Sequence, residues 1–262
     1  MEGVTAQLLA LYDEQLRGAA ETAVGVESDT DGPLIRIHYP HRGFVSYRSL
    51  AGLAGAELDA VIARQVSHFA ERGEVFEWKT RGHDLPADLP DRLMAAGFVP
   101  EQAETVLVGD AAAMAAEPVL PVGVRLERAL SLPDFQAIAA MESTVWGEDW
   151  AWLADDLQSR TGAVGTAEVF VALAGAEVVS AAWIVFKQGT DFAGLWGGST
   201  VSAWRGQGIY RAMVARRAQR AAERGVRYLQ VDASTDSRPI LERLGFVAIT
   251  TTTPYVWTPP YP

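Results

Sequence analysis

The hydrophobic pattern of the second half of the chain predicts a fixed order of helices and strands. Apolar positions recur at helical spacing from Ile209 to Arg224, and this pattern ends at Gly225. The strand-like VRYLQVDA follows, then a polar loop, the short helical PILERLGF and the β-rich VAITTTTPYVW. Helical spacing marks an amphipathic helix and β-branched runs mark strands, so the predicted order is helix, strand, helix, strand.

The first half of the chain repeats that order. A helical pattern from about Gly55 to Arg72 ends at Gly73 and is followed by EVFEWKT, a polar loop, PDRLMAAGF and AETVLVGD. Both halves place glycine where a helix ends in a left-handed cap. The Ala- and Pro-rich stretch at 111–123 is typical of a linker. We therefore predict two domains of similar ancestry, residues 1–118 and 119–262.

The most apolar stretch, residues 169–186, approaches the length of a membrane span. Turn-forming residues and a charge, Ala174-Gly175-Ala176-Glu177, interrupt it at the middle. Two buried strands joined by a tight turn explain that pattern better than a span. The N-terminus also lacks the basic and apolar regions of a secretory signal. We therefore expect no membrane partner and a cytoplasmic location.

Composition narrows the possible functions further. The net charge is −11, which disfavours a nucleic-acid partner because phosphate binding needs a basic face. The chain contains no cysteine, so disulfides, thiolate metal sites and cysteine nucleophiles are excluded.

A glycine-rich turn stands at the start of the helix in the second half. The sequence RGQGIY, residues 205–210, follows a predicted strand from Leu195 to Val201 and opens the helix. A helix N-terminus offers free N–H groups and a partial positive charge, and glycines let the backbone approach an anion closely. The turn is therefore either a pyrophosphate cradle or an ordinary strand-to-helix connection. The motif matches neither a P-loop nor a dinucleotide fingerprint.

The corresponding helix in the first half has the opposite charge. Its start carries Glu57 and Asp59, whereas the helix in the second half has no acid before Glu223. Carboxylates at a helix start complement the helix dipole but repel a phosphate. The cradle is therefore predicted only in the second half.

Residues 198–246 resemble the core of the GNAT superfamily of acyl-CoA-dependent N-acyltransferases. The superfamily signature is Gln/Arg-x-x-Gly-x-Gly/Ala, and RGQGIY matches it at the first and fourth positions but has Tyr210 at the sixth. The segment DSRPILERLGF resembles the later helix of the family. The resemblance implies an α/β (α+β) fold of two GNAT-like domains, each a mixed β-sheet flanked by helices, with a degenerate first copy.

The resemblance also implies which residues bind acetyl-CoA. The backbone of the strand end would pair with the pantetheine amides, and the helix start would hold the pyrophosphate. Two serines stand near positions where the family often has asparagine and alanine. The implied coenzyme-binding residues are Ser199, Thr200, Val201, Arg205, Gly206, Gln207, Gly208, Ile209, Tyr210, Arg211, Ser234 and Ser237.

The catalytic acid and base of the family have no clear counterpart. Leu241 occupies the place of the tyrosine that many members use to protonate the thiolate. The carboxylates closest to the implied cleft are Asp232 and Asp191, which we predict as catalytic, although Asp232 also suits a loop cap. All four histidines lie in the first half, and the HYPH pair at 38–41 is more typical of a surface turn than of a metal site. No metal is expected.

The segment at 141–160 would flank the acceptor cleft by the same resemblance. It combines tryptophans with acids, a set that suits an amine cation through cation–π contact and charge pairing. An amphipathic helix with core tryptophans and solvated acids is the alternative. The predicted substrate-binding residues are Glu142, Trp146, Glu148 and Trp150.

The implied function is acyl transfer from acetyl-CoA to an amine, with a small cationic molecule as the acceptor. A monomer or homodimer is expected. Two alternatives remain open: an acyl-CoA-binding protein without catalysis, and an interaction module in which the first domain supports the second.

Overall fold

The computed structural model describes residues 2–23, 25–162 and 166–260, and these form two compact units. The first unit comprises Met1–Leu107, Asp232–Pro239 and Ala248–Pro262, and the second comprises Val108–Val231 and Ile240–Val247. These units are defined by the contacts between residues in the folded chain. The predicted boundary between residues 118 and 119 concerns how the sequence divides into two copies, and it stays a prediction.

The helices are α1 (Glu2–Leu16), α2 (Gly55–Glu71), α3 (Leu89–Ala95), α4 (Ala111–Met114), α5 (Leu132–Trp146), α6 (Leu153–Thr161), α7 (Ile209–Glu223) and α8 (Arg238–Leu244). The strands are β1 (Glu27–Asp31), β2 (Leu34–His38), β3 (Gly43–Tyr47), β4 (Phe76–Arg81), β5 (Val99–Pro100), β6 (Glu104–Asp110), β7 (Val124–Ala129), β8 (Ala167–Ala174), β9 (Glu177–Phe186), β10 (Phe192–Thr200), β11 (Tyr228–Ala233) and β12 (Val247–Trp257). None of the helices in these ranges is long and apolar enough to cross a membrane.

The first unit contains a mixed sheet that includes the last strand of the sequence. β1, β2 and β3 pair antiparallel, and β3 pairs parallel with β4. β12 then pairs antiparallel with β4 and with β5. The apolar face of α2 packs onto an aromatic core that includes Phe69, Phe76, Trp78 and Trp257. The C-terminal strand therefore completes the N-terminal unit.

The second unit contributes five strands, β7 to β11, with mixed pairing. β7, β8, β9 and β10 pair antiparallel in sequence order. β10 also pairs parallel with β11, through Phe192, Ala193 and Gly194. A core cluster that includes Phe135, Ile138, Leu157 and Val169 joins α5 and α6 to this sheet. Both units are thus mixed sheets flanked by helices, and the predicted fold class is confirmed.

The repeated element order is present in the structure. α2 and α7 end before Gly73 and Gly225, whose φ angles are +65° and +72°. The apolar stretch at 169–186 forms β8 and β9, as predicted. Two expectations differ from the structure. The predicted linker begins with α4, which Asp110 caps by accepting from the N–H of Ala113. The helical segment at 141–160 is interrupted at Gly147, which has a φ of +74°.

Candidate active site

β10 separates from its parallel neighbour in the middle of the second unit. The two strands pair over three residues, from Phe192 to Gly194, although β10 continues to Thr200. On the other side, the register with β9 shifts between Gly197 and Ser199. A bulge of this kind bends a strand and frees part of its backbone from the ladder. The last residues of β10 can therefore present backbone groups to a ligand on the side that does not pair with β9.

Two consecutive glycines make this bulge possible. Gly197 and Gly198 have φ angles of +66° and +96°, which side chains other than glycine rarely adopt. A Cβ at Gly197 would lie 2.4 Å from the Trp183 ring, and one at Gly198 would lie 2.8 Å from the ring of Tyr210. Larger residues would push these rings away, so the bulge requires the glycine pair.

A buried arginine holds the strands just before the bulge. Arg217 of α7 is 1% exposed, and its Nη1 donates to the carbonyls of Trp183 and Trp196, at 3.3 and 3.1 Å. These two tryptophans face each other in the β9–β10 register. Burial lowers the pKa of Arg217 to about 10, so the guanidinium remains charged at neutral pH. Arg217 thus ties α7 to both strands at this point.

The start of α7 has the features of an anion site. Gly206 and Gly208 have φ angles of +74° and +89°, and Gly208 is the N-cap. No acidic side chain stands in the first turn. In the first unit, the corresponding turn of α2 carries Glu57, and Asp59 pairs with Arg92 at 2.7 Å. The predicted difference between the two helix starts is therefore present.

The polar side chains of the cradle fall into two groups. Arg205 Nε donates to the carbonyl of Thr200 at 2.9 Å, and Gln207 Nε2 donates to the carbonyl of Ala203 at 3.1 Å. These two contacts shape the turn. Arg211 is exposed, and its Nη2 lies 3.5 Å from the position of a Cβ at Gly208. The side chain of Arg211 therefore brings a positive charge beside the N-cap.

A cavity of about 490 Å³ opens beside this turn. The first two turns of α7 form one wall, and residues between 113 and 121 form another. Gln219 of α7 also donates to the carbonyl of Ala116 at 3.1 Å. The predicted linker is therefore part of the second unit and borders the helix start.

The end of β10 already has several internal hydrogen bonds. Ser180 Oγ donates to the carbonyl of Ser199 at 2.7 Å and lies 3.1 Å from Thr200 Oγ1. The N–H of Val201 donates to Val179 at 3.0 Å. The pairing of Ser199, Thr200 and Val201 with pantetheine stays a prediction, and some of their polar groups already have partners within the protein.

Three residues predicted for different roles meet beside the bulge. Trp146 Nε1 lies 2.9 Å from Oε2 of Glu142 and 3.1 Å from Oγ of Ser199. Glu142 and Trp146 stand one turn apart on α5, which places both on one face of the helix. The structure therefore joins α5 to β10, the strand that precedes the predicted cradle.

Glu142 is an unusual carboxyl group. It is 2% exposed, and within the described residues its Oε1 is buried without a hydrogen-bond partner. Burial raises the pKa of Glu142, and hydrogen bonds from Ser199 and Trp146 offset that rise in part. A buried carboxyl group with a raised pKa is a candidate for acid–base catalysis.

The other two predicted substrate-binding residues, Trp150 and Glu148, make no contact with Glu142 or Ser199 among the hydrogen bonds described above. Trp150 packs against the core and stacks on Trp152 with ring centroids 5.4 Å apart. Glu148 is exposed in the loop after α5. Trp196 of β10, which is not among the predicted substrate-binding residues, is 47% exposed. Its position beside the Gly197-Gly198 pair was the available signal.

The two predicted catalytic aspartates are not placed with Glu142. Asp191 immediately precedes β10 and is nine positions before Thr200, which corresponds to at most roughly 30 Å along an extended strand. Asp232 is an ion-pair partner of Lys79 in the first unit, with Nζ 2.8 Å from Oδ2. Burial opposes the charge of Lys79, but Asp232 and Glu77 outweigh it and raise the lysine pKa. A catalytic role for either aspartate stays a prediction.

The other residues carried over from the family resemblance have structural contacts. Ser234 and Ser237 lie 3.3 Å apart through their hydroxyls, immediately before α8. Leu241 of α8 is fully buried. It is a core residue and exposes no group that could act as a proton donor.

A family model described as "Acetyltransferase (GNAT) domain" matches residues 142–255. Three solved structures share the fold over nearly the whole chain. A GCN5-related N-acetyltransferase from Kribbella flavida is 15% identical, with 98% of this chain and 96% of that chain covered and a TM-score of 0.70. A functionally unknown conserved protein from Staphylococcus epidermidis is 14% identical, with coverages of 92% and 97% and a TM-score of 0.69.

The third structure is a tandem GNAT protein from the clavulanic acid biosynthesis pathway. It is 15% identical to this chain, covers 100% of this chain and 97% of its own, and has a TM-score of 0.64. A comparison with curated proteins gives no match. At these identities the structural likenesses show the fold alone.

Proposed function

We propose that the second unit transfers an acyl group from acetyl-CoA to an amine, because residues 142–255 match the model of the acetyltransferase (GNAT) domain. The observation that carries the proposal is the arrangement of β10. Gly198 of its bulge lies close to Tyr210 in the first turn of α7, and the next residue, Ser199, contacts Trp146 beside the buried acid Glu142.

The residues present fit acetyl-CoA. A Cβ at the N-cap Gly208 would contact Arg211 and the carbonyl of Val119. Glycine therefore leaves the backbone open to a ligand at this point. The first-turn N–H groups of α7 and the charge of Arg211 would hold the pyrophosphate. The separated end of β10 would accompany the pantetheine arm. When bound, the coenzyme supplies an activated acyl thioester.

We assign Glu142 as the proton acceptor, acting through Ser199. An amine acceptor must lose a proton before or as it attacks the acyl carbon. The C–S bond would then break, and coenzyme A would leave as a thiolate that takes its proton from the solvent, since a thiol has a pKa of about 8.5. The Ser199 hydroxyl would accept the amine proton and pass its own to Glu142, while the indole N–H of Trp146 holds both oxygens in place. The role of Ser199 is required because Glu142 itself is buried.

The acceptor that fits this site is an amine cation of small size. Exposed aromatic faces of Trp146 and Trp196 stand on α5 and β10, on the two elements that meet at Ser199. Aromatic faces attract cations, and Glu148 adds a negative charge in the next loop. We place the protein in the cytoplasm, where acetyl-CoA is available.

Thiol release from acetyl-CoA in the presence of an amine panel tests the proposal. We expect turnover with at least one small cationic amine, and acetyl-CoA should raise the melting temperature of the full chain. At a concentration one hundred times Kd, a ligand stabilises the folded state by about 2.7 kcal/mol. Binding without turnover would support the alternative, an acyl-CoA-binding protein, and no binding would contradict both.

A further inference from the structure

A polar network lies between the β1–β2 hairpin and α2 in the first unit. None of its residues belongs to the proposed acyl-transfer site. Asp31 accepts hydrogen bonds from Arg64, Gln65 and Arg36. Arg36 also donates to Oδ1 of Asp29 at 3.0 Å and to Oε1 of Gln65 at 2.8 Å. Most polar groups of this network therefore satisfy one another.

Three side chains at one end of the network come together from three different elements. Oδ2 of Asp29, in β1, lies 3.5 Å from Nε2 of His38 at the end of β2. The same oxygen lies 4.0 Å from Nε2 of His68, in the last turn of α2. One ligand atom from each residue lies within 4.8 Å of the other two.

The Nε2 atoms of the two histidines make no hydrogen bond within this network. Nε2 of His38 and Nε2 of His68 are buried and have no hydrogen-bond partner among the residues that the structure describes. A buried polar atom without a partner costs free energy, so such atoms call for an explanation. Asp29 is near both nitrogens, but neither contact has hydrogen-bond geometry.

The surrounding residues orient these atoms as metal ligands. Nδ1 of His38 lies 3.0 Å from Oε2 of Glu74, which favours the tautomer with its proton on Nδ1 and the lone pair on Nε2. A carboxylate behind a histidine is the usual support of a metal-binding imidazole. Arg36 holds Oδ1 of Asp29 and so leaves Oδ2 directed at the histidines.

We propose that Asp29, His38 and His68 form a zinc site, with Glu74 as the residue that positions His38. Zinc bonds of about 2.0–2.2 Å in a tetrahedron place ligand atoms roughly 3.3 Å apart, close to the spacing of the Asp29 and His38 atoms. The Asp29 and His68 atoms, 4.0 Å apart, need to close by about 0.7 Å, and the two histidine atoms, within 4.8 Å of each other, by at most about 1.5 Å. Two imidazoles and a carboxylate are a zinc donor set, and a water molecule would complete the tetrahedron.

The site would join the β1–β2 hairpin to the C-terminal turn of α2. This differs from the HYPH pair in the sequence, because the second histidine is His68 and His41 is not a ligand. The sequence spacing gave no signal, since thirty positions separate the two histidines. The site is independent of the acyltransferase proposal, which concerns the second unit.

Calorimetric titration of the full-length, tag-free, chelator-treated chain with Zn²⁺ tests the proposal. We expect one tight site in the wild type, and tetrahedral visible bands when Co²⁺ replaces Zn²⁺. His68→Ala and Asp29→Asn should each weaken zinc binding by more than about 100-fold, and Glu74→Gln by about 10–100-fold. His41→Ala, an exposed histidine in the same segment, is the matched control and should bind zinc as the wild type does.

The folded state is checked by circular dichroism and thermal melting in each variant. Saturating Zn²⁺ should raise the melting temperature of the wild type and of His41→Ala, but not that of His68→Ala. If His68→Ala does not fold, His68→Gln provides the same test because His68 is partly exposed. A wild type without a tight zinc site, or a folded His68 variant with unchanged affinity, would overturn the proposal and leave His38 and Asp29 as an ion pair.

Discussion

The indole N–H of Trp146 lies 2.9 Å from the carboxyl group of Glu142, one turn earlier on α5. The same N–H lies 3.1 Å from Ser199, so the contact connects the helix to the bulged strand. This relationship leads to the first prediction, because it places a buried acid next to the hydroxyl through which an amine proton could leave.

We predict that Glu142→Gln lowers kcat/KM for an amine acceptor by roughly 100-fold near neutral pH. The amide keeps the shape and the contact with Trp146 but cannot accept the proton. Burial raises the pKa of Glu142, so wild-type activity should rise with pH through a value above that of an ordinary glutamate. The loss should shrink at high pH, where more of the amine is already neutral. The pH–rate profiles of both enzymes provide the measurement.

Glu148→Gln is the matched control for that variant, because Glu148 is an exposed acid just beyond the same helix. It should leave the shape of the pH profile unchanged. An equal loss in both variants would point to a general charge effect on the cationic acceptor and would contradict the assignment of Glu142 as the base.

Gly208→Asp should abolish measurable coenzyme A binding. A carboxylate at the N-cap would repel the pyrophosphate and fill the space beside Arg211. Gly225→Asp is the control, since Gly225 also has a positive φ of +72° but lies beyond the other end of α7. Calorimetry should show that the control binds with wild-type affinity. Circular dichroism separates loss of the site from loss of the fold.

The order of helices and strands around α7 could be predicted because its signals are local. The helical period, the capping Gly225 and the β-rich segments all lie within the elements that they describe. The β1–β2 hairpin was not predicted, since four of the five residues of β1 are exposed and give no apolar alternation. Its register depends on pairing with β2, which a single-strand pattern does not contain.

The candidate site could be predicted only in part for the same reason. The glycine turn at Gly206 and Gly208 is a local motif, so the turn could be predicted from the sequence. Its role as a pyrophosphate cradle stays a prediction. The cluster of Glu142 and Ser199 joins positions 57 residues apart and depends on the bulge at Gly198. Arg217 was likewise missed, because its position in a basic helical pattern resembled a solvated charge.

Asp232→Asn should reduce stability more than activity. Asp232 pairs with Lys79 in a partly buried setting, with side-chain exposures of 19% and 16%. Its loss leaves the lysine charge without that partner, and we expect about 1–3 kcal/mol of destabilisation. Denaturant melts measure this, with Asp191→Asn, an exposed aspartate, as the control. A 100-fold fall in kcat/KM with unchanged stability would instead support the predicted catalytic role of Asp232.

We predict that Glu104→Gln stabilises the protein in a pH-dependent way. Burial raises the pKa of Glu104 to about 7, and the charge of Asp232 adds to the rise while Lys79 opposes it. A carboxyl group whose pKa is raised by folding contributes stability that is fully present below its ordinary value of 4.5 and is lost as the pH rises through about 7. Glu104→Gln removes the charge, so it should match the wild type near pH 4 and exceed it near pH 8.

Because Glu104 is partly exposed, solvent screening limits the expected gain to about 1 kcal/mol near pH 8, or a rise in Tm of roughly 2–4 °C. Thermal melts of both proteins across this pH range make the comparison. Glu71→Gln, an exposed acid on α2, should show no such trend. A gain of the same size at acid and alkaline pH would mean that the amide packs better, and the buried charge of Glu104 would then not limit stability.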